Sequence, residues 1–372
     1  MTGADHFPAA ATAATATAAG VTRSAFGTLP DGRIVEAIRL VNGNGMAATI
    51  LTYGATIQAL LVPGRDGVPV DVVLGHATLA PYLAQPQFMG ATVGRVANRI
   101  AGGRFRLDGI DHEVPPNDGP NALHGGPDGF DKANWTISAI GTDPAFVTLA
   151  LVSPAGDQGF PGTLRATATY RLAENNELQI DYGAEADQPT VVNITNHAYW
   201  NLAGEGSGSA MAHRLQIPAD HYLPTDAGAI PTGEIRPVAG TAFDFRRATA
   251  IGARVRDAGD RQILFGRGYD HNWVLVPGSG CRLVALLEDP GSGRTLALHS
   301  DQPGLQFYSG NFLDGTSVGK SGRLYRMGDA VAIEPQMFPD TPNQPGFGSI
   351  RLDPGEHYHH HIILRFGIRA AA

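Results

Sequence analysis

From Thr22 onward the chain is written in short apolar or alternating runs, each soon cut off by Gly, Pro or Asp, and this rhythm constrains the fold more than any other feature. Residues 33–41, 47–53, 56–62 and 70–74 read as four successive strands, separated by turns such as Pro30-Asp31-Gly32 and Asp66-Gly67. Similar runs follow at 103–114, 135–140, 146–152, 164–172 and 177–184, and again at 213–217, 272–276, 282–287, 295–299, 304–308, 330–333 and 358–366. Helical periodicity is confined to 77–84 and 248–257. The 48 Gly and 26 Pro suit many turns rather than long helices. Alternating βαβ architecture is therefore excluded, no fixed-period repeat is present, and a large antiparallel sandwich or barrel is expected.

Residues 1–20 are rich in Ala and Thr and lack the basic start and strongly apolar core of a secretory signal, so a disordered tail is expected there, followed by a single domain over 21–369. A cytoplasmic location is expected, or a periplasmic one if that segment is the remnant of a processed signal. The single cysteine, Cys281, excludes an intrachain disulfide, and its apolar surroundings suggest a core position. A net charge of −8 without runs of like charge argues against nucleic acid or an anionic membrane as partner. No apolar run approaches the roughly 18–20 residues that span a bilayer. The expected partner is a neutral small molecule, bound by a monomer or weak homodimer.

The stretch from Val191 to Leu202, V-V-N-I-T-N-H-A-Y-W-N-L, combines β-branched residues with an unusually polar face. Strand alternation sends Asn193, Thr195 and His197 to one side and Val192, Ile194 and Asn196 to the other. Such a row is either a solvated face or the wall of a cleft for a hydroxyl-rich ligand, with His197 placed to pass a proton near neutral pH.

Other clusters bear on that choice. Gly94-Arg95-Val96-Ala97-Asn98-Arg99-Ile100 reads on its own as a surface loop with Arg99 in an ion pair, but Asn98 and Arg99 also offer donors suited to sugar hydroxyls. In Asn121-Ala122-Leu123-His124-Gly125-Gly126 the glycine pair lets backbone approach a ligand beside His124. Asp270, in Gly268-Tyr269-Asp270-His271-Asn272-Trp273, is either a turn former or an acceptor for vicinal hydroxyls, and Gln306 lies between apolar residues of a strand. Glu334, at the end of an apolar run and followed by Pro335, becomes a usable base if the cleft desolvates it. His357, His359 and His361 fall on one face of a strand and invite adventitious metal, but no carboxylate or cysteine constellation supports a native metal site.

In order along the chain, G-R-V-A-N-R-I, N-A-L-H-G-G with G-F-D, N-H-A-Y-W-N-L, G-Y-D-H-N-W, L-Q-F-Y-S-G-N-F and E-P-Q resemble the aldose 1-epimerase (galactose mutarotase) family from about Thr22 to Phe366. The resemblance implies an all-β fold, a large antiparallel β-sandwich of the galactose mutarotase type. It implies Glu334 as base, His197 as acid, and Asn98, Arg99, His124, Asp270 and Gln306 as sugar-binding residues. It implies a monosaccharide substrate whose α and β anomers interconvert by ring opening and closure at C1, with no cofactor or metal. Pro335, Trp200 and Trp273 depart from the family's usual residues and are expected to reshape the pocket. Competing expectations are a catalytically silent sugar-binding protein, a lyase or hydrolase with paired carboxylates, and a phosphosugar epimerase with extra basic residues.

Overall fold

The computed structural model describes residues 19–84 and 87–369, so the expected tail lies, up to residue 18, outside the described residues. Three antiparallel sheets carry the fold. The first takes strands Gly20–Thr28, Ile34–Val41, Ala47–Leu51, Thr56–Pro63 and Pro69–Asp71 in sequence order. The second has nine strands, with Tyr358–Ile368 inserted between Glu177–Ala186 and Arg294–Ser300. The third has six, and Val331–Gln336, Gly304–Tyr308 and Asp270–Val274 lie side by side in it. The alternating sequence explains the layering: along Leu164–Leu172 every second residue, Leu164, Ala166, Ala168, Tyr170 and Leu172, is buried. Ile57 of the first sheet, Tyr170 of the second and Phe307 of the third belong to one contiguous apolar cluster. The architecture is the expected all-β antiparallel sandwich.

Several local expectations need correction. Residues 248–257 are not a helix: they hold the short strand Thr249–Ala250, a 3-10 turn at Ile251–Ala253 and then loop. The helix starts later, at Arg261–Gly266, where the Asp260 side chain caps it by accepting from the Gln262 N–H at 2.9 Å. The other expected helix is present as Leu79–Ala84. Residues 103–114 form a hairpin, Arg104–Leu107 with Ile110–Glu113, because Asp108 and Gly109 both take positive φ (51° and 80°) in the tight turn. Cys281 is exposed rather than in the core. The first strand, Gly20–Thr28, was not anticipated.

The largest correction concerns Val191 to Leu202. Its residues do not form one strand but contribute to three of two residues each: Thr190–Val191 pairs with Arg351–Leu352, Thr195–Asn196 with Thr92–Val93, and Tyr199–Trp200 with Val331–Gln336. The expected alternation survives, yet most of the polar row serves structure. Asn193 exchanges hydrogen bonds with the Met337 backbone, and Thr195 Oγ1 donates to the Pro335 carbonyl at 2.6 Å. These side chains stand in for ladder bonds along 334–337 and carry His197 up to Glu334.

Candidate active site

Glu334 lies inside Val331–Gln336, not at its end, and Gln306 sits opposite it in register on the neighbouring strand. Pro335 is tolerated there because its backbone faces Thr195 rather than the ladder with Gly304–Tyr308. Asp270 opens the next strand and accepts from Gln306 Nε2 at 2.7 Å. Asn98 and His124 arrive on turns and both adopt left-handed backbone, with φ of 62° and 52°. The Asn98 N–H donates to His124 Nδ1 at 3.1 Å, while the His124 N–H donates to the Asn98 carbonyl at 3.0 Å.

All seven residues anticipated for the site, His197, Glu334, Asn98, Arg99, His124, Asp270 and Gln306, line one cavity of about 230 Å³. Arg99 is clamped by two carboxylates: Nε donates to Asp118 at 2.7 Å, and Nη2 lies 3.6 Å from Asp270. Its guanidinium is the one permanent cation among the lining residues, and it is already doubly paired. Burial alone would lower its pKa, but Asp270 and Asp118 together hold it above the usual value.

His197 Nε2 stands 3.6 Å from Glu334 Oε1, and both side chains are buried. Glu334 Oε2 and His197 Nδ1 have no hydrogen-bond partner, and neither has Gln306 Oε1. Desolvation raises the Glu334 carboxyl well above its ordinary value, reinforced by Asp270 and opposed by Arg99. Desolvation likewise lowers His197 to about 4 and keeps His124 well below its ordinary value, with His197 and Arg99 adding to the effect on His124. Burial therefore biases the His197 imidazole toward its neutral form and the Glu334 carboxyl toward its protonated one, and the two groups titrate as a coupled pair.

The nearest ligating atoms of His124, His197 and Glu334 lie within 4.8 Å of one another, a spacing that would suit a metal. The donor set argues otherwise. Because His124 Nδ1 accepts the Asn98 N–H, a neutral ring carries its hydrogen on Nε2, so its other nitrogen is a donor and not a lone pair. His357, His359 and His361 share one face of the strand as expected, but carboxylates that the sequence did not reveal lie beside them: His357 pairs with Glu185, His359 approaches Asp181 and Asp301, and His361 pairs with Asp181, while His360 points inward to the Ile194 carbonyl.

The family model described as aldose 1-epimerase matches residues 36–365. Galactose mutarotase of Rattus norvegicus is 45% identical over 94% of this chain and 99% of its own length, and aldose 1-epimerase of Escherichia coli K12 is 42% identical over 88% and 94%. The chain belongs to the aldose 1-epimerase family. Among solved structures, galactose 1-epimerase from Lactobacillus acidophilus superposes with a TM-score of 0.83 at 30% identity, covering 95% of this chain and all of the other. An aldose epimerase homologue from C. elegans gives 0.84 at 33% identity, covering 90% and 100%.

Within the aldose 1-epimerase frame, Trp200 and Trp273 do not reshape the pocket as expected: both are buried in the core and neither lines the cavity. Sequence reasoning missed Asp118, Tyr199, Tyr308, Phe88 and Phe312 as lining residues. Tyr199 and Tyr308 lay inside motifs already quoted and could have been found by strand parity, since each is two positions from a site residue on the same strand face.

Proposed function

We propose that this aldose 1-epimerase interconverts the α and β anomers of a free monosaccharide, with Glu334 and His197 exchanging protons across the sugar's C1 and ring oxygen. The observation that carries the reading is the buried pair itself, a carboxyl and an imidazole 3.6 Å apart in one cavity. Ring opening needs a base to take the C1 hydroxyl proton while an acid protonates the ring oxygen and the C1–O bond breaks. Rotation about C1–C2 then presents the other aldehyde face, and closure runs the transfers in reverse. One proton leaves the C1 hydroxyl and one is delivered to the ring oxygen, so the protein's proton count is the same before and after. Asn98, Arg99, His124, Asp270 and Gln306 bind the remaining hydroxyls, with His124 offering its Nε2–H and the Asp270–Gln306 pair offering acceptors. None of these steps calls for a cofactor or metal.

The lining favours a neutral sugar over a phosphosugar, since Arg99 is already paired and three carboxylates, Asp118, Asp270 and Glu334, line the same cavity. A glycosidic hydrolase reading is weaker because Asp118 and Asp270 are both committed to Arg99. We read residues 21–369 as one domain acting in the cytoplasm as a monomer or weak homodimer, a setting that suits a chain without disulfides.

Polarimetry of freshly dissolved α-D-glucose, α-D-galactose and α-D-xylose tests the reaction. The wild type accelerates the approach to equilibrium, whereas Glu334→Gln loses roughly 10²–10⁴-fold while still binding sugar in calorimetry. Binding without any acceleration by the wild type would instead make the protein a silent sugar-binding relative.

A further inference from the structure

His197 has no hydrogen bond at Nδ1, so packing must set the plane of its ring. One of the rings against it belongs to Phe88, which lies 5.7 Å from His197 and, edge-on, 4.6 Å from His124. Phe88 reaches this place at a backbone cost, for its φ is +55°, in the left-handed region that bulky side chains avoid. The turn that follows holds it there. The Ala91 N–H donates to the Phe88 carbonyl, the Gly90 N–H to the His197 carbonyl, and the His197 N–H to the Ala91 carbonyl, at 3.0, 3.0 and 2.8 Å. Gly90 cannot give way, since a Cβ on it would meet the Ile57 carbonyl oxygen at 2.1 Å.

We propose that Phe88 is a positioning residue for proton transfer: its ring fixes the planes of both imidazoles and keeps water from the path between His197 and Glu334. The same tight turn that fastens the His197 backbone thus also orients its ring. This rests on the acid–base reading above. The titratable groups facing His197 are Glu334 from Val331–Gln336, His124 from its turn, Tyr199 from its own stretch and Tyr308 from Gly304–Tyr308, with Arg99 and Asp270 across the cavity. A substitution at Phe88 leaves each of these side chains chemically in place, so what it changes is the packing against the two imidazoles.

Two variants test the role. Phe88→Gly suits the left-handed backbone and removes the ring, while Phe88→Leu keeps an apolar cover. The glycine variant, folded by near-ultraviolet circular dichroism, is expected to lose roughly tenfold or more in kcat with a smaller change in KM. Its His197 titration, followed by NMR, rises from about 4 toward the ordinary 6.5 as water reaches the ring. The leucine variant keeps the low titration and recovers part of the rate. A glycine variant with wild-type kcat and an unmoved His197 titration would overturn the proposal, and so would equal losses in both variants with no shift. If the wild type itself shows no mutarotation, the reaction assignment falls, and the NMR titration still decides whether Phe88 shields the ring.

Discussion

Asn98 and His124 hold each other in place: each sits at positive φ, and the backbone of one decides which nitrogen of the other carries hydrogen. Asn tolerates the left-handed region better than most residues, which fits its use at this turn. Arg99 is fixed in a similar way by Asp118, across 19 residues of sequence. A charge-assisted bond of this kind is worth about 1.5–3 kcal/mol, so Asp118→Asn is expected to raise KM about tenfold with a smaller effect on kcat, measurable in a coupled or polarimetric assay. That His197, Glu334, Asn98, Arg99, His124, Asp270 and Gln306 would line one cavity was legible because each lies in a compact motif of chemically distinctive residues. Asp118 was not, because Asn117-Asp118-Gly119 reads as an ordinary turn and nothing local reveals the guanidinium it faces.

At the scale of elements, side chains complete what backbone pairing leaves undone. Thr195 donates to the Pro335 carbonyl where no ladder bond can form, and this contact keeps His197 level with Glu334. Thr195→Val leaves that buried carbonyl unpartnered, with an expected loss of about 1–3 kcal/mol in chemical denaturation and a lower kcat. The stretch from Val191 to Leu202 looked like one strand because β-branched residues signal extended backbone without saying what it pairs with. Its three partners lie at 92–93, 331–332 and 351–352, and pairing over such distances leaves no trace in a local pattern. The helix expected at 248–257 failed for a related reason: Ile251 is buried through the strand pairing of Thr249–Ala250 with Arg214–Gln216, so its burial came from a sheet and not from a helical face. Asp260, followed by Arg261–Gly266, carried the true start signal.

Over the whole molecule, strand content and sheet class were readable from turn spacing, while the order of strands within the sheets was not. Buried neutral histidines give the fold a definite response to acid. His271 is held near 3 by burial and by Arg99, with Nδ1 accepting the Asp270 N–H and Nε2 bonded to Gln262. Its folded pKa is below the ordinary 6.5, so the unfolded chain takes up the proton first and this part of the stability is lost as pH falls below 6.5. His197, near 4, acts in the same sense. The melting temperature should drop between pH 7 and pH 5, and less so in His271→Gln; equal slopes for both proteins would refute the assignment. The insertion of Tyr358–Ile368 between Glu177–Ala186 and Arg294–Ser300 has a consequence for how the protein is made. Until the ribosome has released that segment, the two flanking strands have bare edges facing one another across a gap, and every nascent chain carries two sticky seams. A stop codon before residue 358 would leave those seams open for good and is expected to drive the truncated product into inclusion bodies.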